Sequence, residues 1–157
     1  MSVYTVTKIL NPGKGYPCVF RNWRAQSHCK FWHGYDLIFE LTLTCNKDNR
    51  DASGWVYDFG NFSLLKDEIE HNFDHKWIIA EDDPLLQWTK EYGQKSKAAE
   101  NQCMDLVVMP ETGCEAFACW LARSAADMLY INGRLGPVQV LEARVFETMA
   151  NSAGYRP

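Results

Sequence analysis

The stretch from 36 to 45 alternates apolar and polar residues, and this pattern constrains the fold more than any other feature of the chain. The apolar positions are Leu37, Phe39, Leu41 and Leu43. Ile38 is the one exception to the alternation. A repeat of two residues is typical of a β-strand that buries one face and exposes the other. The sequence therefore predicts a half-buried strand at this place.

The segment ahead of this strand is dense in chemically active side chains. Counting back by two places Cys29, His33 and Tyr35 on the face of Leu37, provided that the chain is extended there. A thiol and an imidazole on one side suit metal binding or thiolate chemistry, because an imidazole can bind a metal or lower the pKa of a thiol. A partly buried Cys and His that are satisfied by the backbone would give the same pattern. This stretch alone leaves both interpretations open.

Length and composition predict a single domain over 1–157. The chain has 157 residues, of which 46% are hydrophobic, enough to bury a core. No apolar run approaches the ~18 residues that span a membrane, so no membrane partner is expected. The opening residues, MSVYTVTKIL, lack the basic and apolar segments of a secretory signal. The expected location is the cytoplasm.

Charge and cysteine spacing exclude several classes of protein. The net charge is −4, whereas a nucleic-acid binder usually has a basic surplus, so no nucleic acid is expected. The six Cys residues form no C-x-x-C pair, which excludes a zinc ribbon and a dithiol redox motif. Arg21, Arg24 and Lys30 lie close together in sequence and could serve an anionic ligand, although a solvated basic face is the more common meaning of such a group.

The remaining pattern predicts further strands, helices and connections. Strands are predicted over 2–10, 37–45, 105–109 and 138–147. Helices are predicted from Asn61 for about three turns, from Asp83 to Gly93, and from Thr112 to Asn132. The connections are a turn over 11–17, a polar loop over 46–54, a charged loop over 95–101 and a polar tail over 151–155.

The end of the first predicted helix carries Asp74 beside His75. A carboxylate can orient an imidazole for general acid–base catalysis. His71 and His75 are four residues apart and could share a metal if both lie on the helix. From this segment alone, a surface or capping role is the more common meaning of each of these residues.

Five short motifs follow one another along the chain. They are Cys29-x-x-x-His33-Gly34, Gly54-Trp-Val-Tyr-Asp58-Phe59, Phe73-Asp74-His75, Glu115-Ala-Phe-Ala118-Cys-Trp120 and Val145-Phe-Glu147-Thr148. In order and spacing they resemble the family of 6-carboxytetrahydropterin synthase and 6-pyruvoyl tetrahydropterin synthase, from about Phe20 to Tyr155. Each motif is weak alone, but five in order are specific.

The resemblance implies a fold and a reaction. The fold would be α+β, the tunnelling fold, with an antiparallel sheet and two long helices packed on one face. The homo-oligomer would be a barrel, a hexamer with sites between subunits, which would cover the strand edges. Members of the family act on 7,8-dihydroneopterin triphosphate over zinc. A small-molecule pterin triphosphate is thus the expected partner, in 7-deazaguanine (queuosine, preQ0) or pterin biosynthesis.

The resemblance also implies roles for particular residues. Cys29 would be the thiolate base, and Asp74 with His75 the proton relay. Glu147 would anchor the pterin ring, since a carboxylate can accept two parallel hydrogen bonds from a 2-amino-pyrimidinone edge. Glu115, at the head of the last helix, would also bind substrate.

The metal position departs from the family pattern. The family uses three His, one in Phe-x-x-x-His and two in His-Gly-His. Here His33 is retained, Tyr35 occupies the last position and Arg24 the first. The expected zinc ligands are therefore His33, His28 if the loop is shifted, and Tyr35. Zinc usually takes three protein ligands and a water, and a Tyr must lose a proton with a pKa near ~10 to bind it well, so reduced zinc affinity is expected.

Two functions from different classes follow. One is a zinc-dependent carbon–carbon or carbon–oxygen lyase of this family. The other is a metal-free protein that binds a pterin or purine nucleotide without turnover, with Arg24 on a phosphate. The retained Cys29, Asp74 and His75 favour the enzyme, because a binding protein would not need them. A pure assembly protein would explain neither Glu147 nor the Asp–His pair.

Overall fold

The predicted half-buried strand is the centre of the sheet. In the computed structural model, which describes residues 2–157, it forms β3 (His33–Asn46). Every second residue from Leu37 to Cys45 is buried, and the residues between them are partly exposed. The alternation predicted from the sequence is thus confirmed. His33 and Tyr35 lie on the same face as Leu37, as expected for a strand.

Six further strands and three α-helices complete the described chain. The strands are β1 (Val3–Leu10), β2 (Tyr16–Phe20), β4 (Lys76–Ala80), β5 (Leu106–Met109), β6 (Gln139–Phe146) and β7 (Ser152–Tyr155). The helices are α1 (Ser63–Phe73), α2 (Leu86–Ala98) and α3 (Cys114–Ile131). The predicted α+β class is confirmed. No helix of residues 2–157 is long and apolar enough to cross a bilayer.

The sheet is mixed, which corrects the expectation of an antiparallel sheet. Its order is β5-β4-β2-β3-β6-β7, and β1 pairs with β3 beside β2. The strands β1, β2 and β6 are antiparallel to β3. However, β4 is parallel to both β2 and β5. The physical reason is that β4 continues through helix α2 into β5, and a helical crossover returns the chain in the same direction.

Helices α1 and α3 cover the buried face of the sheet, as the resemblance implied. Helix α1 contributes Leu65, Ile69 and Phe73 to the core, at helical spacing. The ring of Phe73 packs edge-on against Phe39 of β3, with the ring centroids 4.7 Å apart. Helix α2 buries only Thr89 and lies beside the edge strand β5. The two covering helices fix the side of the sheet on which a site can form.

Three strands and one helix end were not predicted. Strands β2, β4 and β7 have only five, five and four residues, too few to show a repeat of two. Helix α2 continues through Gly93 to Ala98, so the predicted helix end at Gly93 is wrong. Of the charged loop predicted over 95–101, residues 95–98 are helical instead. One Gly costs a helix only about 1 kcal/mol, which neighbouring turns can offset.

Candidate active site

One cavity brings together four of the residues singled out from the sequence. It has a volume of about 250 Å³ and lies where β2, β3, the start of α3 and the turn after β6 meet. Its lining includes Cys29, Tyr35, Glu115 and Glu147. Phe20, Asn22, Cys114 and Asn151 also line it. The thiol and both carboxylates that the motifs implied are therefore found around a single space.

Cys29 reaches this cavity from a turn, so the expectation of an extended chain at this residue is wrong. It lies in a 3-10 turn, His28–Lys30, where Ser27 caps the Cys29 backbone N–H at 3.3 Å. The carbonyl of Cys29 accepts a hydrogen bond from the Asn22 backbone N–H at 2.9 Å. These bonds fold the 22–29 segment back on itself and direct it towards the strand end.

Glu147 directly follows β6 and is held by a tight turn. Its backbone N–H donates to the carbonyl of Asn151 at 3.0 Å. The Thr148 hydroxyl accepts from the backbone N–H groups of Ala150 and Asn151. Such side-chain acceptors are typical of Ser/Thr turns. The Glu147-Thr148 motif therefore has a structural basis: the threonine fixes the turn that presents the glutamate.

The start of α3 supplies a carboxylate and a second thiol. Glu115 lies in the first helical turn, where the helix dipole favours a negative charge. Cys114 precedes it, and burial, followed by Glu147 and Glu115, raises the pKa of its thiol to about 12. The sequence analysis gave Cys114 no role. Its position immediately before a motif glutamate was the only available signal.

Tyr35 lines the same cavity as Glu147. The Tyr35 ring stacks on Phe20, with centroids 4.3 Å apart and planes 23° apart. Burial, and then the charge of Glu147 and the neighbouring Cys29, raise the pKa of Tyr35 to about 12. Without a metal ion the hydroxyl is therefore protonated at neutral pH, and it would have to lose this proton to bind zinc as an anion.

The metal position provides two imidazoles. The rings of His28 and His33 are 5.8 Å apart between centroids, close enough for both to approach one ion. However, Nε2 of His33 donates to the carbonyl of His28 at 3.0 Å. Among residues 2–157 no three His, Cys, Asp or Glu side chains are grouped so that they could hold a metal. With Tyr35 protonated, the residues present do not fit a zinc site with three protein ligands.

Asp74 and His75 are hydrogen-bonded to each other but do not line the Cys29 cavity. Nδ1 of His75 donates to the Asp74 carboxylate at 3.0 Å, which orients the ring as predicted. The His75 side chain is 79% exposed and borders a second cavity of about 460 Å³. Tyr35 lines both cavities. Helix α1 ends at Phe73, so the helical spacing assumed for His71 and His75 as a metal pair does not hold.

The His75 backbone adopts an unusual conformation. Its φ is 57°, in the left-handed region that residues other than Gly rarely occupy. The backbone N–H donates to the carbonyl of Pro17 at 2.6 Å, which ties the residue to β2. Strain of this kind costs about 1–3 kcal/mol and often accompanies function.

Two of the three cations expected to serve an anion, Arg21 and Arg24, are engaged by aspartates. Arg21 donates to Asp83 through Nε at 2.9 Å and Nη2 at 2.6 Å, a bidentate pair in which Asp83 is buried. Arg24 pairs with Asp82 and lines a different cavity, of about 430 Å³. The structure thus places Arg24 away from Cys29 and Glu147, and these pairs anchor the 21–30 loop to the 82–83 turn.

Comparison with known proteins gives consistent similarities. A family model described as 6-pyruvoyl tetrahydropterin synthase matches residues 14–157. A 6-carboxy-5,6,7,8-tetrahydropterin synthase from Rickettsia conorii is 37% identical over 78 residues, which cover 49% of this chain and 51% of that protein. The match thus spans about half the length of that curated relative.

Solved structures are similar over nearly the whole chain. An uncharacterized protein from Wolinella succinogenes has a TM-score of 0.78 at 20% identity, with 99% of both chains covered. The 6-pyruvoyl tetrahydropterin synthase from Plasmodium vivax has a TM-score of 0.67 at 13% identity, with 100% of this chain and 99% of that chain covered. At these identities the likeness shows the fold.

Proposed function

Since the chain belongs to the 6-pyruvoyl tetrahydropterin synthase family, we propose that it is a lyase, a 6-carboxytetrahydropterin synthase-like enzyme that acts on 7,8-dihydroneopterin triphosphate. The observation that carries the proposal is the single cavity lined by Cys29, Glu115 and Glu147. A thiol that can move a proton and carboxylates that can hold a heterocycle are combined there. The product would enter 7-deazaguanine (queuosine, preQ0) or pterin biosynthesis.

Glu147 is the proposed anchor of the ring. Its carboxylate can accept two hydrogen bonds from the adjacent N–H and amino groups of a 2-amino-pyrimidinone edge. The stacked rings of Tyr35 and Phe20 lie in the same cavity lining and offer an apolar wall to a flat heterocycle. Glu115 would contact the substrate from the helix side. Cys29 would take the proton from the substrate's side chain, next to the bound ring.

The Asp74–His75 pair would act on a site of a neighbouring subunit. Within one subunit this pair lies at a different cavity from Cys29, and the exposed His75 ring is free to approach another chain. Strand β1 has an open edge and exposes Val3, Tyr4 and Ile9, and uncovered edges favour pairing with another chain. We therefore extend the proposal to a homo-oligomeric barrel, a hexamer, with active sites between subunits.

Zinc enters this proposal only as a weakly held group. His33 and His28 are the residues that would approach it, and no step above depends on it. The alternative function is a metal-free protein that binds a pterin or purine nucleotide without turnover. The protonated Tyr35 at the family's metal position favours it. The pairing of Arg24 with Asp82 weakens the version in which Arg24 holds a phosphate.

Incubation of the purified oligomer with 7,8-dihydroneopterin triphosphate decides between the two functions. The enzyme releases inorganic triphosphate and forms a new pterin product, both measurable by chromatography. The binding protein retains 7,8-dihydroneopterin triphosphate unchanged. A matched control is Cys119→Ala, which removes a partly buried thiol from a different cavity. Turnover that survives in Cys29→Ala would contradict the proposed role of this thiol.

A further inference from the structure

The turn after β6 places Asn151 directly opposite Glu147. The backbone N–H of Glu147 donates to the Asn151 carbonyl at 3.0 Å, which continues the antiparallel register of β6 and β7 by one pair. Residues that face each other across such a pair have Cβ atoms about 5 Å apart and project on the same side of the sheet. The side chains of Glu147 and Asn151 are therefore neighbours.

Both side chains lie on the cavity side of this pair. Alternate residues of a strand project on the same face, so Glu147 shares the face of the buried Val145. For the same reason Asn151 shares the face of Ala153, which lines the Cys29 cavity. Glu147 and Asn151 line this cavity as well. Register and cavity lining thus agree that a carboxylate and a carboxamide are presented side by side to one space.

The carboxamide of Asn151 is free to bind a ligand. Every hydrogen bond that Asn151 makes within residues 2–157 uses its backbone, which pairs with Glu147 and Thr148. The turn is therefore held without the Asn151 side chain. A carboxylate only accepts hydrogen bonds, whereas an amide has two N–H donors and a carbonyl acceptor. Acceptors and a donor are thus available next to each other.

We propose that Asn151 is a specificity-determining residue that donates a hydrogen bond to the 4-oxo group of the ring held by Glu147. The inference rests on the proposed function in one respect, the role of Glu147 as anchor of a 2-amino-pyrimidinone ring. Along that edge the 2-amino group, the ring N3–H and the 4-oxo group point the same way, as donor, donor and acceptor. Glu147 matches the two donors, and Asn151 matches the acceptor beside them. The pair therefore selects rings that carry all three groups.

Binding of pterin and of its 4-thioxo analogue to the purified protein tests this role. The analogue keeps the 2-amino group and N3–H but replaces the oxygen by sulfur, a weak acceptor. Asn151→Ala keeps the backbone groups that hold the turn, and the preference for pterin over the analogue should fall by about fivefold, the usual size of a neutral hydrogen bond. Asn151→Asp has a similar shape but no donor when ionised, so it should lose the preference as well. An unchanged preference in Asn151→Ala would overturn the inference.

The matched control is Asn101→Ala, which removes a carboxamide from an exposed position outside the cavity and should keep the wild-type preference. Asn22 lines the cavity from the segment after β2. If the preference falls in Asn22→Ala and not in Asn151→Ala, the 4-oxo group is read from that side and the inference is wrong.

Failure of the proposed function is separable from failure of the inference. If Glu147→Gln leaves the affinity for pterin unchanged while Asn151→Ala lowers the preference, the contact of Asn151 stands and the anchoring role of Glu147 is wrong. If Glu147→Gln weakens binding while Asn151→Ala keeps the preference, the inference alone is wrong. A wild-type protein that binds neither compound would contradict both.

Discussion

The two parts of the proposed site, the Cys29 and Glu147 cavity and the Asp74–His75 pair, differ in how enclosed they are within one chain. The Cys29 and Glu147 half is a cavity whose residues are held by turns, a helix start and stacked rings. The Asp74–His75 half is an oriented but exposed pair at another cavity. The cavity is therefore built within a single chain, whereas the Asp74–His75 pair is presented outwards. Under the proposed function, ring binding would need one subunit and turnover would need the assembled oligomer.

The largest expected effect comes from Cys29→Ala. Loss of the thiol should reduce turnover of 7,8-dihydroneopterin triphosphate by about 10³-fold or more. The other thiol in the cavity lining, Cys114, has its pKa raised to about 12 by burial and therefore does not replace a catalytic thiolate. Affinity for 7,8-dihydroneopterin should stay within about twofold, because the thiol acts on protons and does not hold the ring. Steady-state kinetics and equilibrium titration measure the two quantities. Parallel losses in both would remove the distinction between binding and chemistry in this cavity.

Glu147→Gln should have the next largest effect. Replacing one acceptor by a donor should weaken binding of 7,8-dihydroneopterin by roughly 30-fold to 100-fold, as for a charge-assisted hydrogen bond. Glu40→Gln is the control, because Glu40 lies on β3 among the residues of the less buried face. Calorimetric titration of both variants makes the comparison. Equal affinities would show that Glu147 does not anchor the ring.

The buried thiols should make stability sensitive to alkali. Burial, followed by Asp36 and Cys114, raises the pKa of Cys18 from 9.0 to about 12. The folded state therefore holds this proton more tightly than the unfolded state. The stabilisation is complete below pH 9 and is lost as the pH rises towards 12. The loss is about 1.4 kcal/mol per pH unit for such a group.

Urea unfolding at intervals between pH 8 and pH 11 checks this expectation. The free energy of unfolding should fall above pH 9. Cys18→Ala should show a shallower fall, although its stability is lower at every pH. Cys103→Ala, at an exposed position, should keep the wild-type slope. Identical slopes in all three proteins would show that Cys18 is not titrating with a raised pKa.

The smallest effect is expected at the metal position. Tyr35→His restores the third imidazole of the family pattern and should raise zinc affinity by about tenfold or more, since structural and catalytic zinc sites take at least three protein ligands. Competition with a chelating dye measures this affinity. Tyr130→His adds an imidazole at an exposed position on α3 and should leave the affinity unchanged. A wild-type protein that already binds zinc as tightly as Tyr35→His would contradict the assignment of Tyr35.

The sequence predicted most of what depends on local pattern. The alternation from Leu37 identified β3, and helical spacing identified α1 and α3. The motifs led to Cys29, Glu115 and Glu147, which meet although they are far apart in sequence. Strands β2, β4 and β7 were missed because pairing with neighbours, not their own sequence, makes them strands.

Features that depend on distant partners could not be predicted. Arg21 and Asp83 are 62 residues apart in sequence, so nothing local showed that this arginine is already paired. The ring of Tyr35 stacks on Phe20, which requires the register between β2 and β3. The sequence showed the residue type at the metal position, but not that Tyr35 shares a cavity with Glu147.

The central claim, that the cavity and the relay of one active site come from different subunits, is tested most directly by mixing two inactive variants. Cys29→Ala and His75→Ala should each be inactive alone. When their subunits are exchanged by reversible dissociation, some sites receive an intact Cys29 from one chain and an intact His75 from another. With equal mixing, about a quarter of the wild-type activity should return, as random assembly of a symmetric oligomer implies. No recovery of activity in verified mixed oligomers would contradict the account.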